Sequence, residues 1–225
     1  PKFLDSYNYA MLMNEAYKND NLEGPYGTDA LTKFQNGSDP DNYANSDWLG
    51  TLLSENGLFH NHHLSIKGGS DKLIYALAFN YHDKDGLIEN TNYNKFSVRA
   101  NLEAYINKRL KITTNMAVYR SNMTAPAEGI SNLMHYAFRE TPVTPIQLQN
   151  GNYTLFKNEH NSVAAARNSG IYKEVNNNFQ GSVGMDLDIV DGLKLRGIAA
   201  TTFNLLDNPT HTYTQNFYKA GSDTP

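Results

Sequence analysis

From Gly57 onward the chain alternates with period two, the spacing that puts every second side chain on one face of a β-strand. His60, His62, Leu64 and Ile66 alternate with Asn61, His63, Ser65 and Lys67 up to a tight Gly68-Gly69-Ser70-Asp71 turn. Leu73, Tyr75, Leu77, Phe79 and Tyr81 then share a face, as do Phe96, Val98, Ala100, Leu102, Ala104 and Ile106. Past Asn107-Lys108-Arg109 the next strand carries Leu110, Ile112, Thr114, Met116 and Val118. Alternation returns with Phe179, Gly181, Val183, Met185, Leu187 and Ile189. After Asp191-Gly192 it resumes with Leu193, Leu195, Gly197, Ala199, Thr201, Phe203 and Leu205. The pattern predicts an all-β chain of about six antiparallel strands, with short helices in its long loops.

The remaining segments read differently. Residues 5 to about 19 have helical spacing, with Asp5 and Ser6 as N-cap candidates and Tyr9, Leu12, Met13, Ala16 and Tyr17 on one face. Thr28 is expected to cap a second helix to about Gln35, which Asn36-Gly37 stops. The polar run SDPDNYANSD, residues 38–47, reads as loop and leads into Trp48. Within 120–174, Ile130–Arg139 and Val163–Arg167 read as short helical pieces, and Pro142 and Pro145 break what lies between them. This divides the chain into a loop region with two short helices over 1–56 and strands over 57–225, with a long loop at about 121–175.

The connections decide the architecture. Links at 68–71, 107–109 and 190–192 are short, whereas those at Asp83–Asn94 and Ser121–Val175 are long. Short turns at one end and long loops at the other describe an up-and-down transmembrane β-barrel. A soluble sandwich would also alternate, but its hairpins need not lengthen at one end only. Six strands cannot close a membrane barrel, whose smallest members need about eight. The chain, which starts at Pro1 and stops at Asp223-Thr224-Pro225, is therefore expected to be a piece of a larger one. Leu187 and Leu195 are assigned to the lipid-facing side near the midplane.

Composition adds limits. No run of apolar residues is long enough for a membrane helix, and a mean hydropathy of −0.58 is compatible with strands that alternate. With 19 Lys+Arg against 23 Asp+Glu, the net charge is −4 and no basic run suggests nucleic acid. There is no cysteine, which excludes disulfides and thiolate metal sites.

Candidate chemistry is sparse. His60, His62 and His63 raise a metal site, but His63 points away from the other two and no carboxylate is close in sequence. Asp39, Asp41, Asn42, Asn45 and Asp47 offer oxygen ligands without calcium-loop spacing, so a structured turn is expected. Glu15, Glu23, Asp29, Asp85 and Glu128 show no pairing suited to glycoside hydrolysis, and no nucleophile elbow or phosphate loop occurs. No enzyme, cofactor or metal is expected. Tyr43, Trp48 and Tyr153 are candidate cargo contacts, since aromatic rings stack on sugar faces while nearby Asp and Asn bond hydroxyls. The alternative is that they pack the loops. Tyr75, Tyr81, Tyr105 and Tyr119 suit an aromatic girdle.

Several stretches, taken in order, resemble the SusC/RagA family of TonB-dependent outer-membrane transporters. They are SYNYAMLMNEA at 6–16, Gly37-Ser38-Asp39-Pro40, Asn45-Ser46-Asp47-Trp48, the hairpin at 60–88 and NYNKFSVRANLEAYINKRLKI at 92–112. Thr141-Pro142-Val143-Thr144-Pro145, Asn150-Gly151-Asn152-Tyr153 and FQGSVGMDLDIVDGLKLRG at 179–197 follow. Ser46, where Thr is usual, and Lys95-Phe96, where Arg-Tyr is common, depart from the family pattern. The resemblance implies an early part of a 22-stranded barrel in the outer membrane, with residues 5–56 and 121–175 outside the cell. It also implies a SusD-like surface lipoprotein and the TonB complex as partners, and a glycan or peptide as cargo. The competing reading is a soluble all-β carbohydrate-binding module.

Overall fold

The computed structural model describes residues 3–157, 160–222 and 224. Pro1, Lys2, Asn158, Glu159, Asp223 and Pro225, which include all the chain-end residues named above but Thr224, lie outside the described residues. Six strands run β1 (Phe59–Gly69), β2 (Leu73–Asp85), β3 (Asn92–Tyr105), β4 (Leu110–Pro126), β5 (Gly170–Val190) and β6 (Leu193–Asp207). They pair in chain order, each antiparallel to the next, as an open up-and-down sheet. A short β7 (Thr210–Thr212) pairs with β5 in the register that β6 has already set, Val175 opposite Asp207 and Tyr172 opposite Thr210. It is β6 resumed after Pro209, whose missing N–H interrupts the ladder.

The register brings the alternating residues of all six strands into phase. One row runs Leu64, Phe79, Val98, Val118, Phe179, Phe203, and the next runs Ile66, Leu77, Ala100, Met116, Gly181, Thr201. The apolar side chains therefore form one continuous band, and none of the described residues packs over it. Leu64 is 60% exposed, Val183 51% and Phe203 66%. From Leu193 to Phe203 the band covers about 34 Å of strand, or about 25 Å after a tilt of roughly 40°, the height of an outer-membrane barrel's apolar belt. A hydrogen-bonded row bounds it toward the long loops. Arg120 donates to Asn122, Asn122 to Asn94, Asn94 to Asn92, and Asn92 to both Asp83 and Asp85.

Several expectations are corrected. Strands reach further into the loops than alternation suggests. Ser121–Pro126 and Gly170–Val175 are paired strand, so the long connection is 127–169, and the link between β2 and β3 is only Gly86–Thr91. Alternation marks a strand where one face meets an apolar phase. Beyond the band both faces are polar, and Asn122, Asn176 and Asn177 read as turn. Leu187 and Leu195 face each other near the Asp191-Gly192 turn, while Val183, Thr114 and Leu102 occupy the middle of the band. Tyr75 and Tyr81 lie on the apolar face, but the register puts Tyr105 and Tyr119 on the other.

Among the described residues five helices lie outside the sheet: α1 (Ser6–Asn19), α2 (Thr28–Asn36), α3 (Trp48–Leu52), α4 (Ile130–Ala137) and α5 (Ser162–Asn168). The Asp5 side chain caps α1 by accepting from Asn8 N. Thr28 is the first residue of α2 rather than its cap; Gly27 holds that position without a side-chain bond, and left-handed Gly37 ends the helix. α3 escapes the periodicity because it is a single turn, nucleated by Asp47 accepting from Gly50 N. The core of the molecule is here. Trp48, Leu49, Leu52, Ile88, Leu133, Ala137, Val163, Ala165 and Ala166 form one buried cluster drawn from three distant segments. Bonds from Ser54 N to Leu87 O, and from Asn90 Nδ2 to Ala166 O, clasp the β2–β3 link into this block.

Candidate functional site

Two surfaces are candidates for binding: the loop block and the polar face of the sheet. In the loop block, Trp48 is 3% exposed and its indole N–H donates to Thr141 O at 3.0 Å. Tyr153 packs against the same cluster, half-buried, and its hydroxyl accepts from Arg167 at 3.3 Å. Arg167 also bonds Glu89 at 2.9 Å, tying α5 to the β2–β3 link. Tyr43 belongs to a separate aromatic group, edge-on to Phe34 with Lys33 Nζ 4.7 Å from its ring centre. The three aromatic residues thus do not share one surface.

The acidic loop before α3 is spent on structure. Asp39 accepts from Asn42, Asp41 from Gln149 N, Asn45 from Ser6 N, and Asp47 caps α3. Among the described residues, no group of three or more His, Asp or Glu stands close enough to hold a metal ion. His60 and His62 sit on the apolar face at its loop-side margin, His60 Nε2 being 3.8 Å from Asp83, while His63 is on the opposite face.

A cleft of about 460 Å³ opens beside α3, lined by Phe3, Tyr9, Asp47, Trp48, Phe138 and Glu140 among others. Glu140 accepts from Ser162 N at 3.1 Å and Ser162 Oγ at 2.6 Å; burial still holds its carboxyl above the usual range, against the pull of those two bonds. His160 stacks on Tyr136 at 3.6 Å, 3.6 Å from Glu128. Burial lowers its pKa below 6.5, and Glu128 opposes the shift.

The polar face carries eleven of the sixteen charged residues of β1–β6, and the other five lie beyond the apolar band toward the long loops. Near the short turns Glu103, Lys111, Asp186 and Arg196 form a cross-strand ladder, with contacts of 3.7, 3.5 and 2.6 Å, and Lys194 pairs with Asp188 at 3.4 Å. Further along, Lys95 Nζ lies 4.1 Å from the Tyr119 ring centre. Between the two, a groove of about 370 Å³ is lined by Arg99, Asn101, Asn115, Gln180, Ser182 and Thr202 with small residues between them. Sequence reasoning passed over these residues. Their signal was phase: a strand charge one position out of step with the apolar residues belongs to the opposite wall.

No family model matches the chain. It is 30% identical over 119 residues to TonB-dependent receptor P3 of Formosa agariphila, covering 50% of this chain and 12% of that one. It is 27% identical over 119 residues to receptor P26 of the same organism, covering 53% and 12%. Over 73 residues it is 30% identical to TonB-dependent receptor SusC of Bacteroides thetaiotaomicron, covering 32% and 7%. The chain thus spans about an eighth or less of the length of these relatives. Among solved structures, the RagAB peptide importer in its closed-closed state superposes with a TM-score of 0.64 at 19% identity, over 94% of this chain and 24% of that one. A second RagAB peptide transporter structure gives 0.57 at 19% identity, over 88% and 23%. In sequence and in fold, this chain is similar to a stretch of barrel wall from a SusC/RagA-type TonB-dependent receptor.

Proposed function

We propose that the chain forms part of the barrel wall of an outer-membrane transporter that imports large nutrients, oligosaccharides or peptides, without chemically altering them. The observation that carries this reading is the apolar band. It is continuous across six strands, about as tall as an outer-membrane barrel's apolar belt and uncovered by the described residues. Such a face is stable against lipid and a liability in water. A soluble carbohydrate-binding module would have to bury it against a second sheet, which favours the membrane reading.

In this reading the apolar face meets lipid and the polar face lines the passage. The loop block stands outside the cell, where a SusD-like lipoprotein closes over it, and the short turns face the periplasm, where TonB supplies energy through other parts of the protein. Tyr43 and Tyr153 are half-buried where Trp48 is enclosed, so cargo contact in the loop block falls to them, with Trp48 holding the fold beneath. The test is topological. In cells expressing the intact protein, a cysteine-directed impermeant label should reach Asn150→Cys in the loop block and not Asp191→Cys in the short turn. Labelling of Asp191→Cys alone would reverse the orientation, and recovery of the protein in the soluble fraction would remove the membrane reading altogether.

A further inference from the structure

The two faces of the sheet differ in charge as well as polarity. Along β1–β6 the polar face carries seven Lys or Arg and four Asp or Glu, a balance of +3, in a chain whose net charge is −4. The acids do not neutralise its middle. Glu103, Asp186 and Asp188 are spent on the cations at the short-turn end, and Glu174, at the other end, accepts from Tyr172 Oη at 2.9 Å. Between them stand Lys95 and Arg99, four residues apart on one face of β3, hence about 14 Å from each other. Among the described residues neither is ion-paired.

The surroundings of Arg99 narrow the ligand. Its groove presents the amides of Asn101, Asn115 and Gln180 and the hydroxyls of Ser182 and Thr202. Asn115 Nδ2 and Ser182 Oγ are 3.4 Å apart, a long bond that leaves both groups capacity for a ligand. A guanidinium matches the paired oxygens of a carboxylate or sulfate, and amides and hydroxyls match sugar hydroxyls in both donor and acceptor roles. Ala117 and Ala200 keep the floor low, which suits a polyol lying flat better than peptide side chains that seek separate pockets.

We propose that the wall around Arg99 binds an acidic oligosaccharide. The guanidinium takes its carboxylate or sulfate, the amides and hydroxyls take its sugar hydroxyls, and Lys95 extends the positive field toward the loop block. This inference rests on the polar face being the wall of a passage.

The test uses the intact transporter that contains this chain, purified in detergent. It is titrated with an oligogalacturonate, a sulfated oligosaccharide, a neutral oligosaccharide of equal length and an oligoglutamate peptide. Both acidic sugars should bind more tightly than the neutral one, and their affinity should fall as salt rises; which of the two binds better assigns the oxyanion as carboxylate or sulfate. Arg99→Gln should weaken the preferred acidic sugar about ten-fold, the loss of one charge-assisted contact, and leave the neutral sugar unchanged. Arg99→Lys should retain most of the binding, and Arg120→Gln, on the apolar face, should have no effect. Should Arg99→Gln fail to reach a heat-modifiable barrel, Lys95→Gln gives the same comparison with a smaller loss. Equal effects on acidic and neutral sugars, or none on either, would overturn the proposal, as would tighter binding of the oligoglutamate than of either acidic sugar. A protein that partitions into the outer membrane and transports cargo regardless of Arg99 refutes only this inference. One that does not partition there refutes the function on which it rests.

Discussion

The loop block and the sheet place their apolar residues in opposite ways. In the block, helices α3, α4 and α5 and the β2–β3 link enclose Trp48, Leu133 and Val163 at 3% exposure or less, as in any water-soluble core. In the sheet, Leu64, Val183 and Phe203 stand uncovered, and the strands are held by backbone ladders and in-register rows. One region carries its own interior; the other takes its interior from the solvent around it. A single chain can do both because hydrophobic burial needs only the removal of water, and either protein or lipid can supply that.

The largest test of this contrast is Trp48→Ala. Emptying that core site is expected to cost about 3–5 kcal/mol, confined to the loop block. Hydrogen exchange should rise across 46–53 and 130–168 while the sheet keeps its heat-modifiable mobility. Loss of the whole barrel instead would mean the two regions fold as one unit. Next in size is Val183→Arg, at the middle of the band, expected to cost about 2–4 kcal/mol in a bilayer-refolding titration. Its neighbour Ser182→Arg, on the polar face, should stay within about 0.5 kcal/mol. Similar costs at both positions would sink the assignment of faces. Leu195→Arg lies nearer the short turns and should cost less than Val183→Arg, about 0–1 kcal/mol if it reaches the interface.

Smallest is a pH effect confined to the block. His160 has a lowered folded pKa, so the unfolded block takes up a proton first as pH falls below about 6.5, and stability falls with it. Glu140 carries the opposite sign. Its folded pKa is raised, so its contribution is fully present below the ordinary carboxylate range and is lost as pH rises through the raised value. Proteolysis within 127–169 should therefore quicken from pH 7 to pH 5.5. His160→Phe, which keeps the stack on Tyr136, should remove that quickening and leave the opposite trend of Glu140. An unchanged acid response in the variant would assign it elsewhere.

The sheet was legible in the sequence because the cue used to find strands is also the rule that sets their register. Residues chosen for sharing a face within one strand, such as Phe79, Val98 and Val118, turned out to share a row between strands. Legibility stopped where the apolar phase stopped. The polar ends of β4 and β5 read as loop, and β7 was hidden behind Pro209. The loop block was harder, since its core joins Trp48, Ile88 and Val163 by contacts of long sequence separation that no local pattern announces. Of the candidate site residues, Trp48 was readable both as a cargo contact and as a ring packing the loops, and its burial accords with the second. Arg99 and Lys95 were readable as charges out of phase with their strand, although only the paired carboxylates of the neighbouring strands reveal that these two cations are left over.

The unequal lengths of the strands carry a mechanical consequence. β4 and β5, at 17 and 21 residues, remain hydrogen-bonded to each other up to Pro126 and Ile171, and the loop block is mounted on their tips. A pair of laddered strands resists bending and sliding far better than a free linker, because many backbone bonds must then yield together. The block is accordingly carried on a stiff mast, without a swivel. A load on the block is passed directly to the sheet, along the same two strands that carry Asn115, Gln180 and Ser182 on its polar face.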